Sequence, residues 1–160
     1  MLNSDNLYPM AALGNLASLR PCAHASCAAG LIGFRQTALL AGGNIPPERI
    51  RAFALISVRT DGTLDRIIEK PDERESRNFG ANPLVSMNAW LLPPSIYAAC
   101  RAITPSPRGE LELQDAVRYA MEPLGERFQV IESEGAVLDL SSRGDIPAVT
   151  SRLAGLEVRL

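Results

Sequence analysis

The stretch ALISVRTDGTLDRIIEKP, residues 54–71, holds two apolar runs joined by a turn signal and closed by a proline. Asp61-Gly62 is the kind of pair that tolerates the left-handed backbone of a tight turn, so the segment predicts a hairpin with strands over 51–59 and 64–69. Pro71 cannot donate to a ladder and ends the second strand. Side chains alternate faces along a strand, so Glu69 and Lys70 point apart unless the chain bends beside Pro71. Outward from the hairpin, apolar runs predict further strands over 29–34, 84–92, 128–132 and 136–140. Helical spacing appears over 9–19, 95–103, 110–124 and 144–153. In the third of these, Leu113, Ala116, Val117, Ala120, Met121 and Leu124 share a face, and Gly125 follows as a stop. The last tolerates Pro147 because it sits near the start and carries Ile146, Val149 and Leu153 on one side. The expected fold class is α/β, a mixed sheet flanked by helices. No repeat or long linker divides the chain, so 1–160 is read as a single domain.

Composition narrows the function classes. With 46% hydrophobic and 21% charged residues, the chain can bury a core and is not disordered. Sixteen Lys plus Arg against eighteen Asp plus Glu give a net charge of −2, so no basic excess draws it to nucleic acid or anionic lipid. No apolar run approaches the roughly 20 residues of a membrane span, and Met1 to Asp5 lack the features of a signal peptide. A cytoplasmic location is expected. Cys22, Cys27 and Cys100 are an odd set that argues for thiols, and Cys22-x-His24-x-x-Cys27 falls short of four zinc ligands. His24 is the only histidine, and nothing near it has the form of a nucleophile elbow. Among the basic residues Lys70 is the only lysine. It is either a chance survivor of an arginine bias or a position that needs a flexible point charge. Asn3-Ser4-Asp5-Asn6 reads as the end of a strand delivering a carboxylate to a ligand site, or as an ordinary turn before the helix that Pro9 starts.

Five segments, in order, carry a resemblance. They are Asn3-Ser4-Asp5-Asn6, the hairpin of residues 54–71 ending Glu69-Lys70-Pro71, Ser86-Met87-Asn88-Ala89-Trp90, Ser106-Pro107-Arg108-Gly109-Glu110-Leu111-Glu112-Leu113-Gln114-Asp115, and Val137-Leu138-Asp139. Together they resemble the sugar-1-phosphate nucleotidyltransferases, also called nucleoside-diphosphate-sugar pyrophosphorylases. The resemblance implies attack by a sugar-1-phosphate oxygen on the α-phosphorus of a nucleoside triphosphate, UTP or dTTP, with release of pyrophosphate. It implies that Asp5 and Asp139 hold Mg²⁺, that Lys70 contacts the sugar phosphate, and that Glu69 and Asn88 meet the sugar. Catalysis would then rest on charge neutralisation and alignment, with Lys70 and Asp5 central.

The sequence also departs from that family. Ser4 replaces the small glycine before the metal-binding Asp, Phe53-Ala54 replaces Tyr-Gly, and Ser141-Ser142 follows Leu140 in place of Gly-Thr. The family's opening glycine-rich loop, Gly-Gly-x-Gly-Thr-Arg, and its Pro-Lys are missing, and Gly42-Gly43 stands in the wrong order to replace them. Backbone amides of such a loop cradle a triphosphate. The expectation is therefore an incomplete Rossmann-like, glycosyltransferase-A-like domain that holds the sugar and metal half. An N-terminal half or a second copy of the chain is the expected partner, and 1–160 alone is expected to be inactive. The alternative is a non-catalytic sugar-phosphate-binding or regulatory homologue.

Overall fold

The chain runs β1 (Asn6–Leu7), α1 (Met10–Ala17), β2 (Gly30–Arg35), α2 (Gln36–Gly42), α3 (Pro47–Ile50), β3 (Ala54–Val58) and β4 (Leu64–Ile68). It continues through α4 (Glu73–Arg77), β5 (Leu84–Leu91), α5 (Ile96–Ala102), α6 (Leu113–Met121), β6 (Gln129–Ser133), β7 (Leu138–Asp139), a 3-10 turn at Arg143–Asp145 and α7 (Ile146–Leu153). This computed structural model describes residues 1–21 and 28–154.

The hairpin forms where the sequence predicts it. Leu55 stands opposite Ile68 and Ile56 opposite Ile67 in an antiparallel ladder. Gly62 takes the positive φ of 80° that the turn requires, and the Asp61 carboxylate accepts from the Thr63 N–H and hydroxyl at 3.0 and 2.6 Å. From it grows a mixed five-stranded sheet in the order β4-β3-β5-β2-β6, antiparallel throughout except where β2 meets β6 in parallel. A separate two-stranded ladder pairs β1 with β7, Asn6 opposite Asp139.

Strand alternation divides the core between the two sheet faces. Leu31, Ile56, Trp90 and Phe128 pack with Ala99, Ala116, Val117 and Ala120 of α5 and α6. Ile32, Phe34, Val85 and Met87 pack with Ala12, Leu16, Leu39 and Ile50 of α1, α2 and α3. Helices thus cover both faces, as expected for an α/β chain. Trp90 meets Phe128 edge to face at 6.0 Å, which adds an aromatic contact to the first layer.

Several boundaries differ from expectation for local reasons. The strand predicted over 51–59 begins at Ala54, because Arg51, Ala52 and Phe53 donate back to Pro47, Arg49 and Ile50 and complete the turn after α3. The helix predicted over 110–124 shortens to Leu113–Met121, and the strand over 136–140 to two residues. Helix α7 buries no residue, so its apolar stripe of Ile146, Val149 and Leu153 does not enter the core. Asp5 does not end a strand. It lies in a turn directly before β1, and α1 starts without a side-chain cap from Asp5 or Asn6. Among the described residues no helix is long and apolar enough to cross a membrane.

Candidate functional site

Strand β5 is the spine of the site. Opposite β2 its register shifts, with Leu31 facing Trp90 but Gly33 facing Ser86, so β5 spends three residues where β2 spends one. Asn88 lies in this bulge with φ of 57°. A bulge re-aims a side chain out of the regular alternation. The Asn88 Oδ1 accepts from Trp90 Nε1 at 3.4 Å and from Gln114 Nε2 at 3.5 Å, which ties the bulge to the start of α6.

On one side of the bulge the hairpin delivers Glu69 and Lys70. Strand β4 ends at Ile68, and Lys70 takes a φ of 45°, a left-handed conformation that costs a side-chain-bearing residue roughly 1–2 kcal/mol. That bend breaks the alternation. Glu69 and Lys70 both line one cavity of about 400 Å³, together with Ser106, Arg108, Glu112 and Gln114. The other cations of this cavity are engaged, Arg108 with Glu112 at 2.6 Å and Arg118 with Asp115. Among the described residues Lys70 makes no ion pair and is exposed, so its ammonium is available to an anion. Burial, and then the nearby Glu112 carboxylate, push the Glu69 carboxyl above its ordinary range. Among the described residues Lys70 and Asn88 are the two non-glycine residues with positive φ, and backbone strain of this kind concentrates at functional sites.

On the other side the N-terminal segment folds along β5. Met1 exchanges two hydrogen bonds with Trp90, and the Tyr8 hydroxyl donates to the Met87 carbonyl at 2.6 Å while accepting from Asn3 N and Asn6 Nδ2. Burial raises the Tyr8 pKa, so the phenol stays a donor. This frame holds Asp5 beside β7, where its carbonyl accepts from Leu140 N at 2.8 Å. Ser141 Oγ lies 2.7 Å from Asp139 Oδ1 and 3.4 Å from Asp5 Oδ2. The two carboxylates are therefore brought together, no farther apart than those two distances laid end to end, although 134 positions separate them in the chain.

Asp139 is held from every side, and its residue is only 2% exposed. Asn44, after α2, behaves like a neighbouring strand: its Nδ2 donates to the Asp139 carbonyl at 2.7 Å and its Oδ1 accepts from the Asp139 N–H at 2.8 Å. Gly43 allows this approach, because a Cβ there would stand 2.8 Å from the Val137 carbonyl oxygen. Gly42-Gly43 thus serves close packing of the end of α2 on Ala136 and Val137, which lead into β7. Arg49 Nη1 lies 3.3 Å from Asp139 Oδ2, and the same guanidinium forks onto Asp145 at 3.2 and 2.7 Å. That fork, with help from Ser142, holds the Asp145 carboxyl down at about 2.

The donor set suits a hard divalent cation in type. Asp5 presents an exposed carboxylate, while Asp139 Oδ2 and Asn6 Oδ1 are buried oxygens without a hydrogen-bond partner. Among the described residues no group of three or more His, Cys, Asp or Glu side chains forms a complete cage. A cation such as Mg²⁺ accepts one or two carboxylates and fills its shell with phosphate oxygens and water, so two are enough. Cys22, His24 and Cys27 lie outside the described residues.

Sequence reasoning missed Tyr8, Asn44, Arg49 and Asp145. Each acts through a contact at long sequence separation that no local pattern announces. Gln114 had a signal, standing inside the Glu110 to Asp115 motif one residue after Leu113.

Known proteins are similar to this chain over part of their length. No family model matches the chain. It is 30% identical over 92 residues to the UTP–glucose-1-phosphate uridylyltransferase AglF of Haloferax volcanii, covering 58% of this chain and 35% of that protein. It is 35% identical over 72 residues to a glucose-1-phosphate thymidylyltransferase of Streptomyces griseus, covering 45% of this chain and 19% of that protein. A crystal structure from Bacillus anthracis, described as a glucose-1-phosphate thymidylyltransferase in complex with sucrose, superposes with a TM-score of 0.62 at 13% identity. That superposition covers 99% of this chain and 55% of the other. The chain thus spans about a third or less of the curated relatives it matches and about half of the solved structure.

Proposed function

Because the chain is related to the sugar-1-phosphate nucleotidyltransferases over part of their length, we propose that residues 1–160, read as one domain, supply the sugar-1-phosphate and metal-binding part of such an enzyme. The reaction joins a phosphate oxygen of the sugar-1-phosphate to the α-phosphorus of UTP or dTTP. The bond from that phosphorus to the β-phosphate oxygen breaks, and its electron pair leaves on pyrophosphate. In this reading Lys70 neutralises the sugar phosphate as a point charge, Glu69 accepts from sugar hydroxyls, and Asn88 fixes the sugar from the bulge. Asp5 and Asp139 hold Mg²⁺, which supplies charge neutralisation for the reacting phosphates. Backbone donors for the triphosphate come from outside these 160 residues, from a further segment or another chain. The reaction is cytoplasmic.

One observation carries the reading. The bulge at Asn88 has the Glu69–Lys70 cavity on one side, through Gln114, and the frame that holds Asp5 beside Asp139 on the other, through Tyr8 and Met87. Titration of the purified chain with glucose-1-phosphate, followed by calorimetry, tests it. Lys70→Ala should weaken binding roughly 10- to 100-fold, the loss of one charge-assisted phosphate contact worth about 1.5–3 kcal/mol. Equal affinity for glucose-1-phosphate and glucose, unchanged in Lys70→Ala, would return Lys70 to the status of a surface residue. A non-catalytic sugar-phosphate-binding homologue is the second reading. It gives the same binding result but no pyrophosphate release when the triphosphate-binding half is supplied.

A further inference from the structure

The buried carboxylate of Asp139 already faces a cation. Arg49 is a quarter exposed, whereas the Asp139 side chain is almost fully enclosed, so water screens their charges poorly. The directional bonding of the guanidinium is directed elsewhere. Its two terminal nitrogens fork onto Asp145, and although Nη1 comes within 3.3 Å of Asp139 Oδ2, that oxygen has no hydrogen-bond partner. The contact is therefore one of charge, and the fork on Asp145 keeps the guanidinium from turning onto Asp139. Two further fixtures hold the carboxylate whether or not Arg49 is charged, the Asn44 amide on its backbone and the Ser141 hydroxyl on Oδ1.

We propose that Arg49 is the resident counter-ion of Asp139, anchored by Asp145, and that its positive charge sets the divalent-cation affinity of the Asp5–Asp139 pair. The inference rests on the reading that this pair holds a divalent cation. Without Arg49, the buried Asp139 carboxylate would stand uncompensated near that of Asp5, a costly arrangement. With Arg49 in place the pair is preformed, but an incoming dication meets a like charge a few ångströms away. Cation binding is then weak until a polyanionic substrate adds negative charge. Arg49 is a positioning residue, touching neither sugar nor phosphate in this account.

Binding of Mn²⁺ to the purified chain, read from the loss of the free-ion electron paramagnetic resonance signal, tests the proposal without any turnover. Arg49→Met should bind Mn²⁺ at least about tenfold more tightly than the wild type, because one unit of repelling charge is gone. Arg49→Lys keeps the charge without the fork and should stay close to the wild type. Adding Asp139→Asn to Arg49→Met should remove the gain, which localises it. If Arg49→Met does not fold on its own, millimolar Mn²⁺ should restore its circular dichroism, the ion taking over as counter-ion; failure to restore it would overturn the proposal. A wild type that binds Mn²⁺ with Arg49→Met binding equally or more weakly would overturn the counter-ion role while leaving the metal reading standing. No binding by any of the folded proteins at millimolar Mn²⁺ would overturn both.

Discussion

Asn44→Ala isolates a contact with no charge and no ligand. The side-chain amide exchanges two hydrogen bonds with the backbone of Asp139, at 2.7 and 2.8 Å, across a sequence separation of 95. Each such bond contributes a net of about 1 kcal/mol, and a buried backbone group left without a partner costs about 1–3 kcal/mol. Truncation strips one N–H and one C=O at once. Partial access of water to the site brings the expected loss to about 2–4 kcal/mol. Urea unfolding should show this as a lower midpoint at unchanged slope, since the surface exposed on unfolding is the same. The amide of Asp139 should also exchange with solvent faster than those of core residues such as Leu31, because the damage is local. Asn44→Asp should be worse than Asn44→Ala, because it sets a carboxylate oxygen against the Asp139 carbonyl. A loss under about 0.5 kcal/mol, with Asp139 exchange unchanged, would show that the strand-like bracket does not hold β7.

Lys70→Gly relieves the left-handed backbone at φ of 45° but loosens the unfolded chain, so stability should rise by up to about 1 kcal/mol while sugar-phosphate binding is lost. A thermal melt of the variant at or below the wild-type midpoint would remove the strain argument. For Glu69, burial raises the folded-state pKa above the ordinary 4.5, so its stabilising contribution is full below that value and fades as pH rises through the folded pKa. Glu69→Gln should therefore match the wild type in melting temperature at about pH 4 and exceed it once the pH has risen through the folded-state pKa, where the wild type must hold a half-buried charge. A constant difference between the two across that range would refute the assignment.

The hairpin was legible because both of its determinants are local: Asp61-Gly62 for the turn and alternating aliphatic residues for the strands. The bend that turns Glu69 and Lys70 into one cavity was legible too, since Pro71 stops the ladder and forces a choice on the residue before it. The short helices were not. Gln36–Gly42, Pro47–Ile50 and Glu73–Arg77 each span two turns or fewer, too little for a periodic pattern, and tertiary contacts fix them. The α4 capping box at Asp72 and Glu75 was a readable signal that went unused. The motifs singled out Asp5 and Asp139, which lie near one another in the fold, but what holds them was invisible, because Asn44 and Arg49 lie on an α2–α3 segment whose position depends on Gly43 approaching Val137.

The pairing of β1 with β7 means that one carboxylate leaves the ribosome long before the other. At roughly 5–20 residues per second, Asp5 waits about 7–27 s for Asp139 to be made. During that interval Asn6 and Leu7 have no strand to pair with, and Arg49 has neither Asp139 nor Asp145. The hairpin and its neighbour β5 are complete in sequence by Leu91, so the Glu69–Lys70 bend is made long before β1 can close on β7. A ribosome stalled between the codons for Glu126 and Val137 would hold a chain with the hairpin made and no β7 for β1 to pair with.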